Sequence, residues 1–267
     1  MKTQYKRCAG LLAAVIITVF LASLSSCGKS TATDAAPALG VGRVVNASQI
    51  NTETETAEPQ ITPNGITVCV DPGHGYEDGG TSSELIGDLL EKDITLSVSM
   101  MLKEHLKAYG FEVIMTHDGT SIPKTTVDDG NNKFNPMERA AFANELGSSI
   151  YYYISLHCNS HDNSEAEGTR VYYYEGAGKA TTTDLDIAST ICEQIEEDFP
   201  DAPIPTCENY PYYVVKYTTV PASLIEMGFV TNPNDAAELV DEKWQDKFAE
   251  SLAAALDKYY KANPKNT

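Results

Sequence analysis

Residues 66–81 read ITVCVDPGHGYEDGGT and join a short β-branched run to a turn that presents a histidine. The run at residues 66–70 suits a strand that is buried on both faces. Pro72 and the glycines beside it prevent the strand from continuing, so His74 is predicted to lie on a tight loop at its C-terminal end. In open α/β sheets ligand sites form at this edge, because the loops that follow the strands converge there.

Two later stretches end in a similar way. ISLHCNS, residues 154–160, is predicted to be a strand that stops at His157, and SLIEMGFVTNP, residues 223–233, a strand that stops at Glu226. Imidazole and carboxylate groups at three strand ends are typical of a metal site, and catalytic zinc commonly takes three such ligands. His74 and His157 supply two. Spacing alone does not choose the third from the acidic residues after the first strand, which are Glu77, Asp78, Glu84, Asp88, Glu91 and Asp93.

The charge balance excludes one class of partner. The chain has 267 residues, with 19 basic against 38 acidic side chains and a net charge of -19. Nucleic acid binding requires a basic surface that displaces counterions, and Lys and Arg cluster only at the extreme N-terminus.

That N-terminus has the pattern of an export signal. Lys2, Lys6 and Arg7 precede an apolar run at residues 9–21, which is shorter than the roughly 20 residues that a membrane-spanning helix needs. Leu24-Ser25-Ser26-Cys27 then resembles the bacterial lipobox, in which the cysteine is lipidated and becomes the mature N-terminus. Residues 1–26 are therefore predicted to be a signal peptide and Cys27 a lipid attachment site; the alternative is ordinary secretion after cleavage nearby.

The rest of the chain divides into a tether and a folded domain. Residues 27–60 start at the predicted lipidated cysteine and are rich in Ala, Thr, Ser, Glu and Pro, a composition typical of a disordered tether. Residues 61–263 have the length of one domain, in which strand-like and helical runs alternate. The prediction is an α/β fold with a mostly parallel or mixed central sheet flanked by helices.

Predicted strands lie at residues 66–70, 111–116, 150–156, 169–174, 212–215 and 222–225. Predicted helices lie at residues 93–109, 137–146, 185–199, 235–239 and 243–261, the first of them capped by Asp93. The first strand, first helix and second strand form a βαβ unit, which requires parallel pairing.

Five motifs, in order, resemble one enzyme family: VCVDPGHGYEDGG, LLEKDITL, MERAAFAN, SLHCNS and PASLIEMGFVTNP. The family is that of the zinc-dependent N-acetylmuramoyl-L-alanine amidases of the amidase 3 group, and the resemblance extends over residues 67–260. It implies that His74, Glu91 and His157 bind zinc and that Glu226 is the catalytic base. The sequence departs from the family pattern at Tyr76, His117 and Lys216, which puts fine substrate contacts in doubt but not the reaction class.

The implied activity is hydrolysis of the amide bond between N-acetylmuramic acid and the L-alanine of the stem peptide, with peptidoglycan as substrate. The implied location is the cell envelope, with the domain anchored to the membrane through lipid only and facing the cell wall. The alternative is a noncatalytic lipoprotein that binds wall fragments on an amidase-like scaffold. Some relatives cover the zinc with a helical insertion after the second histidine, but here only a short polar loop separates His157 from Gly168, so an uncovered site is expected.

The remaining histidines and the cysteines of the folded domain are predicted to have structural roles. His105 is expected to pack on a helix, His161 to lie in a loop and His117 to support the site without binding metal. Cys158 is a poor nucleophile candidate, because adjacent strand residues point to opposite faces and His157 cannot activate it. Outside the signal peptide and Cys27, only Cys192 and Cys207 are candidates for a disulfide.

Overall fold

The computed structural model describes residues 62–127, 130, 133–176 and 183–264. The predicted signal peptide, the lipidation site at Cys27 and the tether lie outside the described residues. Within the described ranges, no helix combines the length and the apolar composition that crossing a bilayer requires.

The strands form one six-stranded sheet. They are β1 (Thr67–Pro72), β2 (Glu112–Met115), β3 (Tyr152–Asn159), β4 (Arg170–Tyr173), β5 (Thr206–Asn209) and β6 (Ala222–Phe229), and their spatial order is β2-β1-β3-β6-β4-β5. Strand β1 pairs in parallel with β2 and β3, and β3 pairs in parallel with β6. Strand β4 is antiparallel to β6 and parallel to β5, which confirms the predicted mixed sheet.

Helices cover both faces of this sheet. They are α1 (Glu91–Ala108), α2 (Pro136–Leu146), α3 (Thr183–Asp198), α4 (Tyr213–Tyr217), α5 (Pro233–Leu239) and α6 (Glu242–Ala262). Val68 and Val70 of β1 face a large core shared with α1, α3 and α6, whereas Cys69 between them faces a smaller core shared with α2 and α4. This alternation is the two-residue period of a strand buried on both faces.

The segment predicted as a strand at residues 212–215 is instead the short helix α4. Val214 and Val215 are both buried against the smaller core, which a strand with alternating side chains could not achieve on one face. The Lys216 N–H donates to the Tyr212 carbonyl at 2.9 Å and closes a helical turn. A short apolar run does not distinguish helix from strand by periodicity, and this is why the prediction was wrong.

Other boundaries differ from the prediction for local reasons. Strand β5, with the polar sequence TCEN, was not predicted because an edge strand need not carry an apolar face. Helix α1 starts at Glu91, and Asp93 caps it from inside the first turn by accepting the Leu90 N–H at 3.0 Å. Cys192 and Cys207 are both free thiols, so the candidate disulfide is absent.

A buried ionic network joins β1 to α2. Asp71, wholly buried near the end of β1, accepts hydrogen bonds from the hydroxyls of Thr116 (2.6 Å), Tyr153 (2.6 Å) and Ser155 (2.7 Å), and from Arg139 Nη1 of α2 at 2.7 Å. Burial alone would raise the pKa of Asp71, but the Arg139 charge and the hydroxyl donors outweigh it and lower that pKa. Every carboxylate oxygen is therefore satisfied inside the core.

Arg139 carries the network on to the loop that follows β1. Its guanidinium donates to the Pro72 carbonyl at 2.6 Å and to the His74 carbonyl, and its Nε donates to the Phe134 carbonyl at 2.8 Å. The buried Arg139 side chain thus holds the loop that presents His74 by donating hydrogen bonds to the loop's backbone carbonyls.

Replacing Asp71 with Asn should destabilise the fold, because it leaves the buried Arg139 charge without its partner. The loss should be about 3–5 kcal/mol in the free energy of unfolding, measured by chemical denaturation at pH 7. Because the folded-state pKa of Asp71 is depressed, its stabilisation is complete above the unfolded-state pKa of about 3.9 and is lost as pH falls below it. The mutant should therefore lose less stability than wild type as the pH falls below about 4.

The exposed Asp88 provides the control, since Asp88→Asn changes the same charge without touching a buried partner. It should leave the unfolding curve near wild type. An Asp71→Asn protein as stable as wild type at pH 7 would refute the structural role of the network.

Candidate metal centre

His74 lies on a backbone bend that the sequence enforces. Its φ is 61°, in the left-handed region that non-glycine residues seldom adopt, and such strain is common at functional sites. The Gly73 N–H donates to the Leu156 carbonyl at 2.8 Å, and a Cβ at Gly73 would lie 2.5 Å from both that carbonyl and the His157 ring. Only glycine therefore allows the first loop to approach β3 so closely.

Glu91 enters the same space from the first turn of α1. It is only 3% exposed, and its carboxylate accepts backbone N–H groups from Thr81 (Oε2, 2.8 Å) and Cys158 (Oε1, 2.9 Å). Gly80 is required here as well, because a Cβ would lie 2.6 Å from Glu91 Oε2. The glycine-rich stretch after His74 thus makes room for the carboxylate that it faces.

The two histidines and Glu91 converge on one point. Glu91 Oε1 lies 3.1 Å from His74 Nε2 and 3.0 Å from His157 Nδ1, and the three donor atoms are all within 4.8 Å of one another. The other nitrogen of His74, Nδ1, lies 2.9 Å from Asp78 Oδ2. A carboxylate in that position orients the ring and fixes which nitrogen offers its lone pair. These three residues could hold one metal ion.

The structure therefore selects among the acidic residues that spacing left open. Glu91 joins the histidines, Asp78 contacts the far side of His74, and Asp93 caps α1. In the described part of the chain, Glu77, Glu84 and Asp88 do not belong to the cluster.

Electrostatics within the cluster favour an ionised carboxylate. Burial by itself would raise the pKa of Glu91, but hydrogen bonds and charge from His157 and His74 outweigh it and lower the pKa. Burial would lower the pKa of His74, yet Glu91 and Asp78 outweigh it and raise that pKa. The pocket thus stabilises positive charge next to Glu91, as a cation site requires.

Glu226 has a contrasting environment. It lies on β6 directly opposite His157 of β3, and among the described residues its Oε2 is buried with no hydrogen-bond partner. Burial raises the pKa of Glu226 to about 7, opposed by His157 and assisted by the negative charge of Glu91. A carboxyl group with a pKa near neutrality can both take and return a proton at physiological pH.

The two histidines, Asp78 and Glu226 open into one cavity of about 370 Å³, whereas Glu91 is not part of its lining. Its lining residues are His74, Asp78, Phe134, Pro136, Arg139, His157, Tyr212, Tyr213, Val214, Leu224 and Glu226. The segment that follows β3, residues 160–169, contains no helix.

His157 and Glu226 do not lie at strand ends as predicted. Strand β3 continues past His157 to Asn159, and β6 continues past Glu226 to Phe229, so both side chains belong to paired strands.

Two polar residues near the site were not anticipated from the sequence, namely Arg139 and Asp71. The available signal was an arginine within the small-residue helix MERAAFAN, since a buried arginine needs a buried anionic partner. His117 supports the loop, as expected: its Nε2 lies 2.9 Å from the Pro72 carbonyl, and burial and the Arg139 charge lower its pKa. His105 does not simply pack, because it pairs with Asp246 at 2.8 Å.

Comparison with known proteins identifies the family of this chain. Residues 68–258 match the N-acetylmuramoyl-L-alanine amidase family. The germination-specific N-acetylmuramoyl-L-alanine amidase of Bacillus subtilis is 30% identical over 200 residues, which are 74% of this chain and 81% of the relative.

Solved structures give the same result. An N-acetylmuramoyl-L-alanine amidase from Clostridium difficile superposes with a TM-score of 0.63 and 28% identity, covering 75% of this chain and 99% of that one. AmiC2 of Nostoc punctiforme superposes with a TM-score of 0.62 and 25% identity over the same shares of the two chains. The fold, the ordered motifs and the family match together show that this chain belongs to the N-acetylmuramoyl-L-alanine amidases, hydrolases that act on the bacterial cell wall.

Proposed function

We propose that His74, Glu91 and His157 bind one zinc ion. We further propose that the chain hydrolyses the N-acetylmuramoyl-L-alanine amide bond with Glu226 as the general base. The observation that carries the proposal is a three-donor cluster whose two histidines share one cavity with Glu226, a residue whose buried Oε2 has no hydrogen-bond partner among the described residues. The bond cleaved would join the lactyl group of N-acetylmuramic acid to the stem peptide of peptidoglycan.

The donor set fits zinc. Two imidazole nitrogens and one carboxylate oxygen, from three separate segments of the chain, are the ligand types of catalytic zinc sites, which keep a further position for water. The thiol of Cys158 belongs to the buried core and is not part of the cluster, so sulfur does not enter the set. Asp78 supplies the outer carboxylate that commonly orients a metal-binding histidine.

When bound, zinc supplies a Lewis acid that polarises the amide carbonyl and lowers the pKa of water. The protein side chains hold the metal ion and transfer the protons. The Glu226 carboxylate accepts a proton from the attacking water and delivers it to the leaving nitrogen of L-alanine. Glu226 lines the cavity, so its carboxylate can face a substrate that is bound there.

The environment of Glu226 also weighs against the noncatalytic alternative. Burying a carboxyl oxygen without a hydrogen-bond partner costs free energy, and a protein that only binds wall fragments gains nothing from it. An enzyme gains a proton acceptor whose pKa lies close to the working pH.

Substituting the two glutamates should separate metal binding from proton transfer. Glu91→Gln should weaken zinc binding, because a neutral amide oxygen replaces an anionic donor. Glu226→Gln should keep about one zinc per chain but lower kcat by about a hundredfold or more, the usual scale of general acid–base catalysis. Metal analysis and release of stem peptides from purified cell walls give the two measurements.

Glu84→Gln is the matched control, because Glu84 is exposed and lies outside the cluster. It should change neither the zinc content nor the rate. If Glu226→Gln loses its metal or keeps full activity, the assignment of Glu226 as the base fails.

The open side of the site leads to a prediction about regulation. Because residues 160–169 form no helix that could cover the cluster, the purified protein should release stem peptides without an added partner. The check is a wall-digestion assay with zinc-loaded protein alone. Activity that appears only after addition of a second protein would contradict the uncovered site.

We further propose that the protein is a lipoprotein of the cell envelope. The support is the export signal at residues 1–26, the lipobox-like sequence that ends at Cys27, and the tether composition up to residue 60.

Cys27→Ala should release the protein from membranes or block its maturation, because stable attachment depends on the lipidated thiol. Membrane fractionation, with immunoblotting of both fractions, measures the distribution. Cys207→Ala is a suitable control, since it removes a thiol from the folded domain. Equal membrane retention of the Cys27→Ala protein after signal cleavage would exclude the lipid anchor.

A further inference from the structure

A row of tyrosines borders the catalytic cavity and has no role in the chemistry described above. We call Tyr210, Tyr212, Tyr213 and Tyr217 the tyrosine ridge. Tyr210 is 50% exposed, Tyr213 40% and Tyr217 49%, whereas Tyr212 is half-buried. Such a concentration of large exposed rings on one short segment indicates a contact surface.

The ridge rings are organised in pairs. Tyr210 and Tyr212 have centroids 4.7 Å apart, and Tyr213 and Tyr217 have centroids 4.4 Å apart. Tyr212 also contacts the buried Tyr172 edge-on at 4.9 Å, which connects the ridge to the sheet. Aromatic pairs at these distances hold each other in place.

The backbone under the ridge is equally well fixed. Val214 and Val215 anchor α4 in the smaller core. The Asn144 side chain of α2 donates to the Tyr217 carbonyl at 2.8 Å and accepts the Thr219 N–H at 2.7 Å. A surface that is already ordered loses little conformational entropy when a ligand binds.

The ridge is continuous with the catalytic cavity. Tyr212 and Tyr213 line that cavity together with Glu226 and the two histidines, whereas Tyr210 and Tyr217 lie outside it. A long substrate whose scissile bond lies beside Glu226 can therefore extend over the ridge.

The chemistry of the ridge matches one arm of the substrate. An N-acetylmuramoyl-peptide has a sugar arm, with flat C–H faces and hydroxyls and no charge once the lactyl group is in amide linkage, and a peptide arm that carries carboxylates. Residues 210–217 contain no acidic side chain and one cation, Lys216, whose Nζ lies 5.1 Å from the Tyr217 ring centroid. Tyrosine combines a flat apolar face with a hydroxyl, which suits packing against sugar rings.

We infer that the tyrosine ridge is a glycan-binding subsite, against which sugar rings of the polysaccharide strand stack on the N-acetylmuramyl side of the scissile amide. The inference rests on the proposed function and adds to it the recognition of polymeric substrate.

The test compares two soluble substrates that differ only in the sugar arm. One is a stem peptide on a single N-acetylmuramic acid, and the other is the same peptide on an oligosaccharide of four or more sugars. For the double variant Tyr210→Ala/Tyr217→Ala, kcat/KM should fall about tenfold or more on the oligosaccharide substrate, from the loss of two stacked rings. On the single-sugar substrate it should stay within about twofold of wild type, which also shows that the variant is folded.

Two matched variants sharpen the result. Tyr210→Phe/Tyr217→Phe keeps the flat faces and should retain the preference for the oligosaccharide. Tyr109→Ala removes a ring of similar exposure, 36%, at the far end of α1 and should affect neither substrate.

Several outcomes would overturn the inference. Equal losses on both substrates would place the peptide arm on the ridge, and an unchanged preference would leave the ridge without a role in substrate binding. A loss in the Phe variant as large as in the Ala variant would exclude stacking, and a dimer abolished by the Ala variant would assign the ridge to self-association. If wild type cleaves neither substrate, it is the proposed function that fails.

Discussion

The buried ion pair between Asp71 and Arg139 is the interaction on which the site depends. It satisfies a carboxylate with no exposed surface and lets Arg139 donate to the carbonyls of Pro72 and His74. Those bonds hold the loop in the bend that gives His74 its positive φ. A buried charge pair contributes little net stability, since desolvation offsets much of the attraction. What it does provide is one defined conformation for the loop that carries the first histidine.

The parallel pairing of β1, β3 and β6 explains why the remaining groups meet. Strands that run in the same direction end at the same edge, so His74 beyond β1, His157 of β3 and Glu226 of β6 reach a common cavity, and α1 adds Glu91. The two glutamates then differ by environment alone. Hydrogen bonds and charge from two imidazoles lower the pKa of Glu91, whereas burial raises the pKa of Glu226 to about 7. One carboxylate is suited to a cation and the other to a proton.

Much of this arrangement follows from the sequence, because it depends on local signals. The apolar run before Asp-Pro-Gly predicts β1, and the βαβ order predicts parallel pairing. Contacts distant in sequence could not be derived in the same way. Choosing Glu91 over Asp78 or Asp93 without a family resemblance requires knowing where α1 begins, and Arg139 reaches Asp71 across 68 positions. Helix α4 was mistaken for a strand because four apolar residues fit both patterns until the partner surface is known.

The most direct test of the account is the location of zinc by anomalous X-ray diffraction at the zinc absorption edge, on crystals of the zinc-loaded protein. We expect one strong peak bounded by His74, Glu91 and His157, with Asp78 hydrogen-bonded to His74 and Glu226 facing the peak without binding it. A peak coordinated by Glu226, by a cysteine thiol, or away from the cavity would contradict the assignment of ligands and base.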